Sequence, residues 1–191
     1  MSKHAMGSIN LLYPIPAVLA GSRYRGKPNY ALVADCAIVA VNPNSILISV
    51  NQKTATAAAI RESKSFSLNI PSVEQVAEAD FCGINSGKSE DKSGVFTSFF
   101  GLTGAPMAKE CPVNIELRLV SSADFKDNIL FIGEVIESYV NEDCLVNGRP
   151  DALKINPLMY DPEGFYRSFS EWKEYAYRVG KEFKPTVTVK D

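Results

Sequence analysis

The chain has 191 residues, 46% of them hydrophobic and 10% aromatic, enough for one domain with a sizeable core. A formal charge of −2 and a pI of about 5.6 point to neither nucleic acid nor an anionic membrane surface as partner, and no apolar run is long enough to span a bilayer. The single histidine, His4, lies in a polar N-terminal tail, which argues against a Ser-His-Asp triad, a Cys-His pair or a multi-histidine metal site. Cys36, Cys82, Cys111 and Cys144 form no C-x-x-C pair, which argues against zinc, thioredoxin-type and iron–sulfur chemistry and makes a reducing cytoplasm the expected location.

In chain order, Leu11 to Ala20 is apolar and proline-marked and reads as an edge or opening strand. Gly21 to Asn29 reads as a turn with Gly26 and Pro28 as breakers, and Tyr30 to Val41 as one long strand. After the Asn42-Pro43-Asn44-Ser45 turn, Ile46 to Val50 is a third strand. It stops at Asn51-Gln52. Lys53, Thr54 and Thr56 then open an alanine-rich helix from about Thr54 to Glu62.

A strand running into a helix N-terminus suits phosphate, because the first turn carries unpaired N–H groups and partial positive charge. The alternative is that Thr54 or Thr56 simply caps the helix. Ser65 to Ile70 alternates as a fourth strand, and Pro71-Ser72 opens a second helix with Val73, Val76, Ala77 and Phe81 on one face. A polar Gly/Ser segment, Cys82 to Gly94, follows, and its charged run from Lys88 to Lys92 reads by itself as a solvated loop.

Val113, Ile115, Leu117 and Leu119 alternate with Asn114, Glu116 and Arg118, predicting a strand with one buried and one mostly wet face. Lys126-Asp127-Asn128 is a hairpin-like turn into a strand from Ile129 to Val140, where Gly133 marks a bulge or a close approach. Phe169, Trp172, Tyr175, Val179 and Phe183 share a helical stripe, predicting an amphipathic helix from about Ser170 to Lys184. Many short strands with few helices predict a mainly β fold, an antiparallel barrel with added helices.

The order of motifs carries a resemblance. Tyr13-Pro14-Ile15-Pro16 precedes Gly26-Lys27-Pro28-Asn29, the junction with Thr56 and Ile60, and Phe66-Ser67-Leu68-Asn69-Ile70-Pro71. Asp80-Phe81-Cys82-Gly83, Ser86-Gly87-Lys88, Asp91-Lys92-Ser93, Ala105-Pro106-Met107, Glu110-Cys111-Pro112-Val113 and Leu130-Phe131-Ile132-Gly133-Glu134-Val135 follow. From about Tyr13 to Pro157 this resembles the flavin reductase-like, FMN-binding split-barrel family, and within it the flavoredoxin branch.

The resemblance implies a split β-barrel of Greek-key type. The domain plan is a tail at residues 1–10, a flavin-binding domain at 11–160 and a C-terminal extension at 161–191. It also implies a homodimer with FMN near the subunit interface. Lys53, Thr54 and Thr56 would take the FMN phosphate, Ala34, Asp35 and Cys36 would line the isoalloxazine ring, and Asn29 begins that strand. Val50 and Asn51 would lie along the ribityl chain, and Cys82, Gly83, Ser86, Gly87 and Lys92 would close over the cofactor. Small residues at Ala31, Ala34, Ala37 and Ala40 leave room for a flat ring, or pack tightly in a small barrel.

Asp35 stands where relatives commonly place a bulky residue. An acid beside the ring disfavours an anionic reduced flavin unless it points away or is protonated. Cys36 and Cys82 read more simply as small buried hydrophobes than as redox thiols.

The expected function is an FMN-dependent oxidoreductase moving electrons from NAD(P)H to an acceptor. The chain has no G-x-G-x-x-G, so the nicotinamide would dock against the open face of the flavin. An FMN electron carrier between protein partners and a non-redox flavin-binding module are the alternatives.

Overall fold

Seven antiparallel strands form the main sheet of the computed structural model, which describes residues 3–169. The strands are β1 (Val18–Tyr24), β2 (Lys27–Val33), β3 (Cys36–Val41), β4 (Asn44–Asn51), β5 (Ser65–Ile70), β6 (Val113–Phe125) and β7 (Asn128–Val140). Their order in the sheet is β2-β1-β5-β6-β7-β4-β3. The connection from β4 to β5 runs through helix α1 (Ala55–Ser63) and skips β7 and β6, the Greek-key crossing.

The two edge strands, β2 and β3, are consecutive in the chain. Three Cα steps of about 3.8 Å join Val33 to Cys36, so these two edges cannot lie more than about 11 Å apart at that point. The sheet therefore curls back on itself without closing, a split barrel. Its interior is packed by Val18, Val33, Ile48, Phe66, Leu117 and Phe131, with Ala57 and Ile60 of α1 set against them. Burial of each large side chain contributes about 1.5–3 kcal/mol. Helix α2 (Val76–Ile84) covers the outer face of β1 and β2, where Leu19, Tyr30, Ala79, Cys82 and Phe96 make a second core.

Several expectations are corrected. The segment Leu11 to Ala20, read as an edge or opening strand, divides: Ile15–Pro16 is an edge strand of a small three-stranded sheet, whereas β1 lies between β2 and β5 in the main sheet, with Val18 and Ala20 inward and Leu19 outward. The turn from Gly21 to Asn29 shrinks to Arg25-Gly26, both at positive φ, because pairing continues to Tyr24 and Lys27. The strand from Tyr30 to Val41 breaks at Ala34-Asp35, where the Ser49 amide donates to the Asp35 carbonyl at 2.8 Å.

On the second helix Ala77 is exposed and Ala79 buried, because a 3₁₀ turn at Val73–Gln75 advances the phase. The polar face of β6 is wet at Arg118 but not at its start. Asn114 and Glu116 are buried beneath residues 98–108, and the Asn114 amide donates to Ala108 O at 2.8 Å and Asn69 Oδ1 at 2.9 Å. Cys144, in the segment after β7, is buried. The predicted helix from Ser170 to Lys184 lies outside the described residues.

Gly133 meets both readings offered for it. The β6–β7 register shifts beside it, and a Cβ there would come within 2.7 Å of the Phe66 ring. Among the described residues, no helix is long and apolar enough to cross a membrane.

Candidate functional site

The split in the barrel holds a cavity of about 330 Å³, within the usual ~300–1,000 Å³ range of small-molecule sites. Residues 31–35 at the end of β2 and 49–51 at the end of β4 form one side. The first turn of α1, residues 54–56, closes one end, and residues 82–87 with Lys92 lie opposite.

The α1 end is built by Asn51. Its Oδ1 accepts the Lys53 amide at 2.9 Å, and its carbonyl accepts the Thr54 amide at 3.1 Å and hydroxyl at 2.8 Å. Thr54 is the N-cap, with extended backbone and Oγ1 accepting the Ala57 amide at 3.1 Å. The amides of Ala55 and Thr56 find no acceptor among the described residues, although both residues line the cavity. Two N–H groups in the first turn of a nine-residue helix thus remain available where the helix dipole is positive. Thr56 Oγ1 accepts from Asn29 Nδ2 at 3.1 Å, which leaves its own proton to donate.

Lys92 is buried at 3% exposure within an otherwise exposed charged run. Its Nζ donates to Cys82 O at 3.1 Å and Asn85 O at 3.0 Å, carbonyls at the C-terminal end of α2. Burial pushes the Lys92 ammonium below its ordinary value, and the nearby Cys82 works against this. One of its three protons stays free. Asp35, exposed, also lines the cavity, so a carboxylate shares the wall with Lys92.

The structure brings together Ala34, Asp35, Val50, Asn51, Thr54, Thr56, Cys82, Gly83, Ser86, Gly87 and Lys92 around this cavity. Three expected residues do not line it. Cys36 alternates to the other face from Asp35 and packs against the barrel core. Lys53 is exposed outside the wall, and Asn29 is buried beside it, bonded to Ser22 and Thr56. Of the four alanines, only Ala31 and Ala34 line the space. Leu32, Val33, Ser49, Ala55, Ile84 and Asn85 were not singled out from sequence, though all flank residues that were.

Burial raises the Cys36 thiol to about 11, helped by the Asp35 charge. Burial raises the Cys82 thiol to about 11 as well, against the pull of Lys92. Both are therefore neutral thiols at physiological pH, not nucleophilic thiolates. Among the described residues, no group of three or more His, Cys, Asp or Glu is placed to hold a metal.

Residues 10–168 match the flavin reductase like domain family. The flavoredoxin of Methanosarcina acetivorans superposes with a TM-score of 0.91 at 35% identity, over 95% of this chain and 98% of that one. The flavoredoxin of Desulfovibrio vulgaris (Miyazaki F) gives 0.89 at 34% identity, over 94% and 100%. An uncharacterized protein of Pyrococcus abyssi is 26% identical over 91% of this chain and 99% of its own length. With a split barrel and a helix N-terminus at the mouth of its split, the chain belongs to the flavin reductase-like family, on its flavoredoxin branch.

Proposed function

We propose that this protein binds FMN in the split of the barrel and moves electrons from NAD(P)H through it to an acceptor. The observation that carries the reading is the end of the cavity at α1. The free amides of Ala55 and Thr56 and the free proton of Thr56 converge there on a space that suits a phosphate monoester.

The rest of the cavity fits the group too. Ala31 and Ala34 leave flat space beside the end of β2, and the polar groups of Ser49 and Asn51 lie along β4. Bound FMN supplies the interchange of one- and two-electron transfer, which no side chain of this chain offers. The amides of Ala55 and Thr56 would hold its phosphate, and residues 31–35 and 82–87 would flank the rest of the group.

The test is anaerobic mixing of the FMN-loaded protein with NADH and with NADPH, following loss of flavin absorbance. Rapid bleaching by either supports the oxidoreductase, and failure to take up FMN at all overturns the reading. A second reading, an electron carrier between proteins, is favoured by the likeness to two flavoredoxins. Bleaching only when a reductase protein is added selects the carrier. We also place a homodimer in this reading, with the cofactor close to the subunit boundary.

A further inference from the structure

Asn29 does not reach the cavity, yet its bonds decide what Thr56 presents there. The side chain is buried, at 4% exposure. Its Nδ2 donates to Thr56 Oγ1 at 3.1 Å and to Ser22 Oγ at 3.2 Å. An amide nitrogen has two protons and both are committed. A hydroxyl that accepts from it must turn its own proton elsewhere. Thr56 Oγ1 donates to no acceptor among the described residues, and Thr56 lines the cavity.

The opposite orientation of the amide would let Oδ1 accept from both hydroxyls and take the Thr56 proton out of the cavity. The surroundings select against it. The far end of the amide is packed against Gly87, where a Cβ would overlap Oδ1, and it has no hydrogen-bond partner. The bare methylene of a glycine offers only C–H groups. An oxygen can use these as weak donors, and an NH₂ group cannot. The turned amide would bury two N–H donors without an acceptor in place of one oxygen.

We infer that Asn29 is a positioning residue for the phosphate end of the cofactor: it locks the Thr56 hydroxyl as a donor. This rests on the flavin reading above. With that lock, the start of α1 offers the cavity the amides of Ala55 and Thr56 and one O–H, all donors. A phosphate monoester near neutral pH carries acceptor oxygens and matches a set made of donors alone. A free alcohol is both donor and acceptor, so it gains little from the lock.

The test is titration of the apoprotein with FMN and with riboflavin, which lacks the phosphate. The quantity read is the preference for FMN over riboflavin. It is measured in the wild type, in Asn29→Leu, in Thr56→Val and in the double variant. Asn29→Leu releases the Thr56 hydroxyl to rotate and lowers the preference about threefold, the size of a weakened hydrogen bond. In the Thr56→Val background the same change has no further effect, because Asn29 acts through Thr56. Asn29→Asp keeps the side-chain shape but accepts where asparagine donates. It lowers the preference about tenfold, and less when Thr56 is valine. Either Asn29 variant suffices if the other does not fold. An unchanged preference, equal losses for both flavins, or a loss as large with valine at position 56 overturns the inference. Wild-type protein that binds FMN no more tightly than riboflavin overturns the phosphate reading itself.

Discussion

Glu116 shows how one buried residue can hold a distant loop. It is fully enclosed, yet it is an acid. Its carboxylate accepts the Thr103 amide at 2.7 Å, the Leu102 amide at 3.1 Å and the Tyr139 hydroxyl at 2.7 Å. Burial alone would raise its pKa, but these donors outweigh it and hold the group below its ordinary 4.5. A folded-state pKa below the unfolded one contributes stability that is present above about 4.5 and lost as pH falls through the folded value. Glu116→Gln replaces one acceptor oxygen by a donor facing other donors. It should cost about 1–3 kcal/mol at pH 7, read from urea unfolding. The gap between wild type and variant should close as pH falls from about 4.5 through the lowered folded-state value, because the protonated wild type has lost the same acceptor. A gap independent of pH would mean that charge plays no part in the clamp.

At the scale of elements, α1 combines two tasks on neighbouring threonines. Thr54 uses its hydroxyl within the helix start, and Thr56 has a proton left over. Thr54→Ala should lower stability by about 1 kcal/mol through loss of the cap. Thr56→Val should lower FMN affinity by about 1.5–3 kcal/mol, and Thr56→Ser should keep it. Calorimetric titration and thermal unfolding of the three variants separate the roles, and equal FMN affinity in Thr56→Val would move the phosphate elsewhere. This junction was legible in the sequence because its signals are local: an apolar run ends, an asparagine turns the chain, and threonines open an alanine helix. The β5 bounds and the turn at Lys126-Asp127-Asn128 were legible for the same reason. The break at Ala34-Asp35 was not, since no glycine or proline interrupts Tyr30 to Val41 and the split arises only when the sheet curls. The buried start of the polar face of β6 was hidden too, because its cover, residues 98–108, is held by contacts to Asn69 and Glu116 that no local pattern reveals. Most of the cavity wall, Lys92 included, came from the ordered motif set, because a run of exposed charges gives no local signal for the inward turn of Lys92.

At the scale of the whole molecule, the sheet edge formed by β3 is conspicuously apolar among the described residues. Among the described residues, strand β3 pairs only with β4, and it exposes Ile38 at 76%, Val39 at 47% and Val41 at 79%. An edge strand with exposed β-branched residues is a site for association, and β3 carries none of the charges that usually protect such an edge. It begins one residue after Asp35 on the cavity wall, so a partner covering it would stand next to the split. That juxtaposition supports a homodimer whose boundary runs beside the cofactor, and it makes a linkage prediction: a ligand that favours the dimer raises its stability by mass action. In sedimentation velocity at micromolar concentration the wild type should run as a dimer, and more completely so with FMN. A double variant, Ile38→Glu with Val41→Lys, should run as a monomer and bind FMN more weakly. A variant that stays dimeric would place the boundary on another face, and a monomeric wild type with and without FMN would mean that one chain completes the cavity alone.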